Sequence, residues 1–103
     1  MDLRRSKSGV YETAIPRIEL NGEYDLSTKE DVSSLFQSLR ANGPVVIDMT
    51  QVTYIDSSFL HELATLHSRL SPHPITLLGV SMHLQHVFDI LNLKGLFEIL
   101  AEE

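Results

Sequence analysis

Cysteine is absent from the 103 residues, which removes disulfides, thiol nucleophiles and cysteine-based zinc sites together. Basic residues are few: eight Lys and Arg stand against fourteen Asp and Glu, a net charge of −6. Binding to nucleic acid is driven by cationic neutralisation of phosphates, so this balance argues against DNA or RNA as a partner. No apolar run approaches the roughly 18–20 residues that span a bilayer. The first residues also lack the apolar stretch of a secretory signal, so a cytoplasmic location is expected. Gly22, Gly43, Gly79 and Gly95 are too dispersed for a P-loop or a dinucleotide fingerprint.

What remains is 43% apolar and 21% charged, the composition of one globular domain with a modest core. Residues 1–9 hold Arg4, Arg5 and Lys7 against Asp2, with Ser6, Ser8 and Gly9 and no apolar period; they read as a flexible basic tail before a domain at 10–101. From there strand-like and helix-like segments alternate. Ala14 to Leu20 sets Ile18 and Leu20 against Arg17 and Glu19 with the period of a strand, and Asn21-Gly22 is expected to turn the chain. Ser27 and Glu30 have the spacing of a capping box, and Val32, Leu35, Phe36 and Leu39 follow as an apolar helical stripe that Asn42-Gly43-Pro44 would stop. Val45 to Met49 is a nearly unbroken β-branched run, as in a central strand.

A second helix is expected over Ser57–Leu70, with Leu60, Leu63, Ala64, His67 and Leu70 on one stripe. Ile75–Leu78 reads as a short strand. Ser81 is placed to cap a third helix bearing Leu84, Val87, Phe88 and Leu91, Gly95 to end it, and Leu96–Leu100 to form a last strand. Such alternation predicts an α/β layer, a small sheet with helices mainly on one face.

Between the central strand and the second helix lies Thr50 to Leu60, which brings the carboxylate of Asp56 and the hydroxyls of Ser57 and Ser58 to a helix N-terminus. Two readings stand side by side. Asp56, Ser57 or Ser58 caps the helix, or the unpaired amides and dipole there favour an anion such as a phosphate.

The stretch Val45-Val46-Ile47-Asp48-Met49, followed by Val52-Thr53-Tyr54-Ile55-Asp56-Ser57-Ser58 and Leu60, resembles the core of the STAS domains, the anti-sigma factor antagonist family. Leu20-Asn21-Gly22-Glu23-Tyr24-Asp25-Leu26 and Val87 to Phe97 are similar to two further stretches of that family, so the likeness runs from about Val10 to Leu100. It implies a single domain with a four- or five-stranded mixed sheet packed against three to four helices. It also implies a bacterial partner-switching adaptor without a cofactor. Such a domain binds an anti-sigma factor that is a serine kinase of the histidine-kinase-like ATPase class. Phosphorylation ends the complex and a PP2C-type phosphatase restores it. By the same resemblance Ser57 is the phosphoacceptor, with Ser58 the second choice and the helix cap. Asp25 and Asp56 set the local field, and the exposed part of Ser57–Glu62, including Ser58, Phe59 and Glu62, meets the partner. The family also contains non-phosphorylated subunits of ABC-type lipid-transport complexes, the alternative assignment. Phe59 stands where the family usually has Gly or Ala, so its ring either fills a pocket beneath the loop or stands out as a partner anchor.

Five histidines invite a metal reading, but His61-Glu62 is not followed by a second His at zinc spacing and no cysteine completes a set. A hydrolase built from Ser57, His61 or His67 and Asp48 or Asp56 lacks the G-x-S-x-G elbow, and so small a domain leaves little room for a substrate pocket. No enzymatic activity is expected.

Overall fold

Between each strand and the next the chain forms a helix or helical turn that carries it back to its starting edge, and this dictates the sheet. The computed structural model describes residues 15–39 and 43–101; the basic tail expected at 1–9 lies outside them. The order is β1 (Arg17–Tyr24), a 3-10 turn (Leu26–Thr28), α1 (Lys29–Gln37), β2 (Val45–Ile55), α2 (Ser57–Leu70), β3 (Ile75–Val80), α3 (Met82–Ile90), a second 3-10 turn (Lys94–Leu96) and β4 (Glu98–Ala101). Strand order in space equals order in sequence, and each described pairing is parallel. The expectation of a mixed sheet is therefore corrected for these four strands: helical crossovers join parallel neighbours.

The core is one cluster on one face of the sheet. Ile18 and Leu20 of β1, Val45, Ile47 and Met49 of β2, and Ile75 and Leu77 of β3 are buried there with Val32 and Phe36 of α1, Leu63 and Leu66 of α2, and Leu84 and Phe88 of α3. The opposite face carries Arg17, Val46, Thr76 and Glu98 in one cross-strand row and Glu19, Asp48 and Leu78 in the next. Asp48 is buried there, its carboxylate accepting from Thr50 (backbone 2.9 Å, hydroxyl 2.6 Å) and from Arg17 (2.6 Å).

Several boundaries differ from the sequence reading. β1 passes straight through Asn21-Gly22, which makes a break in strand register, with Gly22 at φ +88°, in place of the expected turn. β2 is eleven residues long: Thr50–Ile55, a link by its sequence pattern, continues the strand. Its ladder with β3 ends at Asp48↔Leu78, while the ladder with β1 runs on to Tyr24↔Ile55, so the far half of β2 is paired with β1 alone. Where β2 and β3 part, Gly79 adopts φ +70°, and a Cβ there would lie 2.2 Å from Thr50 Oγ1. α3 ends at Ile90, with Asn92 in the left-handed region, earlier than Gly95.

Candidate functional site at the start of the second helix

Two aspartates end two neighbouring parallel strands. Asp25 succeeds Tyr24 and Asp56 succeeds Ile55, and Tyr24 and Ile55 are register partners. Both aspartates are extended (φ −134° and −130°), and each caps the helical segment that begins at the next residue. The Asp25 carboxylate accepts from the Ser27 backbone N–H (2.9 Å) and hydroxyl (2.6 Å); that of Asp56 accepts from the Ser58 backbone N–H (2.9 Å) and hydroxyl (2.6 Å), with Phe59 N–H at 3.3 Å. The same Asp-x-Ser turn is thus built twice, side by side, and the Asp56 N–H donates to the Tyr24 carbonyl at 3.1 Å.

This geometry corrects two assignments. The cap of α2 is Asp56, not Ser58, whose hydroxyl donates to it. The box at the first helical turn is Asp25 with Thr28, whose hydroxyl accepts from the Asp25 N–H at 3.0 Å, rather than Ser27 with Glu30. Aspartate takes the cap in both places because each strand delivers its last residue in extended geometry, from which a short carboxylate reaches the second and third amides. The Ser58 hydroxyl leads in holding the Asp56 carboxyl below its ordinary value. Partial desolvation opposes it, and the amides of Phe59, Ser58 and Leu26 add to the lowering. Two of the amides that would have greeted an external anion, those of Ser58 and Phe59, are therefore already occupied.

Ser57 is the first residue of α2 and is exposed; its hydroxyl takes no part in the cap and makes no hydrogen bond among the described residues. Leu26, in the matching place of the other turn, is 73% exposed. Phe59 points the other way. Its ring is 1% exposed, with the Tyr24 ring centroid at 5.5 Å and that of Phe36 at 6.3 Å, so it is a core residue and cannot serve as a surface anchor. Glu62 is also withdrawn, 8% exposed and paired with Lys29 Nζ at 2.9 Å. Lys29 chiefly, with Ser33 adding, holds the Glu62 carboxyl below its ordinary value against the effect of burial. This pair ties the start of α1 to α2 beneath the site and removes Glu62 from the expected contact surface. Lys29, Leu26 and Tyr24 do not stand out in the sequence; the repeated Asp-x-Ser spacing after Tyr24 and Ile55 is the signal that points to the first turn.

The imagined hydrolytic set does not assemble. Asp56 is engaged with Ser58 and Phe59, Asp48 with Thr50 and Arg17, and His67 packs edge-on against Phe97. A groove of about 300 Å³ lies between β1 and α1, more room than expected, but Asn21, Glu23, Tyr24, Thr28, Asp31, Val32 and Leu35 line it, without a serine–histidine pair. The described residues gather no group of three or more potential metal ligands, and no described helix is long and apolar enough to cross a membrane.

Known proteins share this architecture. A family model described as "Mlab, STAS domain" matches residues 11–101. A sulfate transporter family protein from Wolinella succinogenes is similar in structure with a TM-score of 0.68 at 16% identity, over 91% of this chain and 82% of that one. The anti-sigma factor antagonist SpoIIAA in its unphosphorylated form is similar with a TM-score of 0.59 at 17% identity, over 84% and 78%. At these identities the likeness is one of fold. No curated protein matches the chain.

Proposed function

The chain belongs to the STAS domain family, and on that premise we propose that it is a partner-switching adaptor, an anti-sigma factor antagonist whose docking surface is closed by a phosphate on Ser57. The observation that carries this reading is the division of labour between two adjacent hydroxyls. Ser58 is fixed on Asp56, whereas Ser57 is exposed and free of the cap. A kinase can reach Ser57 without undoing the helix start, and a phosphate there leaves the Asp56 cap intact. Ser57 is thereby favoured over Ser58 as the acceptor.

The consequence for binding is electrostatic. The surface around Ser57 already carries Asp25 and Asp56. Phosphorylation, which transfers the terminal phosphoryl of ATP to the Ser57 oxygen and releases a proton, adds about −1.5 to −2 charge at pH 7. A partner carboxylate 4 Å away would feel about 2 kcal/mol of repulsion even at the dielectric of bulk water, and more once water is excluded. The partner is a serine kinase of the histidine-kinase-like ATPase class acting as anti-sigma factor, and a PP2C-type phosphatase resets the switch. The contact surface is Asp25, Asp56, Ser57 and the exposed part of Ser58, with Phe59 and Glu62 supporting it from below.

Incubation with such a kinase and ATP, read by intact mass, tests the proposal. A gain of one phosphoryl group that vanishes in Ser57→Ala, together with loss of the complex on modification, is expected. Modification that persists in Ser57→Ala, or a phosphorylated protein that binds undiminished, overturns it. The same fold occurs in a sulfate transporter family protein matched over more of the chain, so a role in transport stands as the second reading, here an unmodified subunit docked on an ABC-type transport ATPase. Binding to that ATPase with no phosphoryl gain from any kinase would select it.

A further inference from the structure

The solvent face of α2 carries Ser57, His61, Thr65 and Ser68, at positions i, i+4, i+8 and i+11, all exposed. Helical neighbours four apart have Cβ atoms about 5–6 Å from one another, so the imidazole of His61 stands one turn along from the Ser57 hydroxyl. His61 uses its main-chain carbonyl to accept from Thr65 Oγ1 at 3.0 Å, and its ring makes no hydrogen bond among the described residues.

Among the described cations, Lys29 at the start of α1 is held by Glu62. Arg69 lies about three turns along α2, held by the carbonyls of Phe36 (2.6 Å) and Leu39 (3.3 Å), and Arg17 sits at the far end of β1, held by Asp48. Of the helix amides, Ser58 and Phe59 are committed to the Asp56 carboxylate and Leu60 to the Asp56 carbonyl at 3.2 Å, which leaves Ser57's own N–H as the first-turn amide without a partner among the described residues. An anion added at Ser57 finds the other first-turn amides occupied and, one turn along its own face, an imidazole without a hydrogen bond among the described residues.

We propose that His61 is the built-in counter-charge of a phosphate on Ser57. The protonated imidazole pairs with the phosphate along the exposed face of α2, so the modified protein shows a partner less free negative charge than the phosphate alone would carry. The charged groups around the pair are few: Asp56 and Asp25 lie N-terminal to it at the strand ends, and Glu62, beside His61 and attracted by its charge, is turned inward onto Lys29 and Ser33 of α1. The pairing rests on Ser57 as the modified residue.

The test installs phosphoserine at position 57 during synthesis, with no kinase, and follows the second ionisation of the phosphate by phosphorus-31 NMR. In the otherwise unaltered protein its midpoint is expected about 0.2–0.4 pH unit lower than in His61→Gln, the size of an exposed helical ion pair. His61→Lys is expected to restore the lower midpoint. Equal midpoints in the parent and His61→Gln forms overturn the pairing, even where a kinase modifies Ser57. A clear difference with no kinase acting on Ser57 would instead leave the pairing standing and overturn the proposed switch. Both variants alter an exposed side chain, and unchanged thermal midpoints of the unphosphorylated proteins confirm that folding is not the cause.

Discussion

Replacing Phe59 by alanine removes a ring that is 1% exposed and lies between Tyr24 and Phe36. Losing the transfer free energy of a buried phenyl group and leaving a cavity costs about 3–5 kcal/mol. The two aromatic contacts, at 5.5 and 6.3 Å, lie in the range where ring pairs add about 0.5–1.5 kcal/mol each beyond area. These contributions overlap, and about 3–4 kcal/mol is the expected loss. In a domain of this length that lowers the thermal midpoint by roughly 15–25 °C. Urea unfolding monitored by far-UV circular dichroism measures it directly: the midpoint should fall with the slope unchanged. A double-mutant cycle with Tyr24→Leu should give a coupling of about 0.5–1.5 kcal/mol. Were Phe59 a surface anchor, alanine would change stability by less than about 0.5 kcal/mol. A measured loss below about 1 kcal/mol would refute the packing argument, and with it the claim that a bulky residue fills the place below the Ser57 turn.

Gly79→Ala places a Cβ against Thr50 Oγ1 at a φ of +70°, and is expected to cost about 2–3 kcal/mol. Measured against a Thr50→Ala parent, which itself lacks the hydroxyl bond to Asp48, the cost should fall by the steric part only, and its complete disappearance would show that backbone conformation is irrelevant there. Ser58→Ala removes a charge-assisted hydrogen bond to Asp56 and should lower the urea midpoint, whereas Ser57→Ala should leave stability within about 0.5 kcal/mol of the parent; equal losses would contradict the assigned roles. The acid side of the stability curve is set by Asp48, Asp56 and Glu62, all held below their ordinary values of 3.8, 3.8 and 4.5. The unfolded chain binds protons on these groups at higher pH than the native protein, so their contribution is complete above those values and is lost as pH falls through and below them. Stability should rise with pH across this window, and Asp48→Asn should flatten the slope; an unchanged slope would refute the Asp48 assignment.

Elements whose ends are fixed by local chemistry were legible in the sequence. α2 has the expected bounds Ser57–Leu70, and Ser81 caps α3 by accepting from Leu84 N–H at 3.3 Å. What escaped sequence reasoning depends on partners far along the chain. Asn21-Gly22 has the chemistry of a turn, but pairing with Gln51 and Val52 of β2 makes it an irregularity within a strand. Thr50–Ile55 loses its period-two pattern because the register shifts there, so the strand looks like a loop. Ser27 and Ser58 are competent caps by residue type; the extended strand ends at Tyr24 and Ile55 decide in favour of the aspartates. The side chosen by Phe59 is set by the rings of Tyr24 and Phe36, which no local pattern reveals.

The twin aspartate turns make the first positions of the two helical segments geometrically interchangeable. Leu26 holds in one the place that Ser57 holds in the other, with matching backbone angles in front and the same carboxylate–hydroxyl clasp behind. A single Leu26→Ser exchange would therefore offer a second presentable hydroxyl from an existing frame, and the chain carries within its own architecture the template for a doubly markable edge.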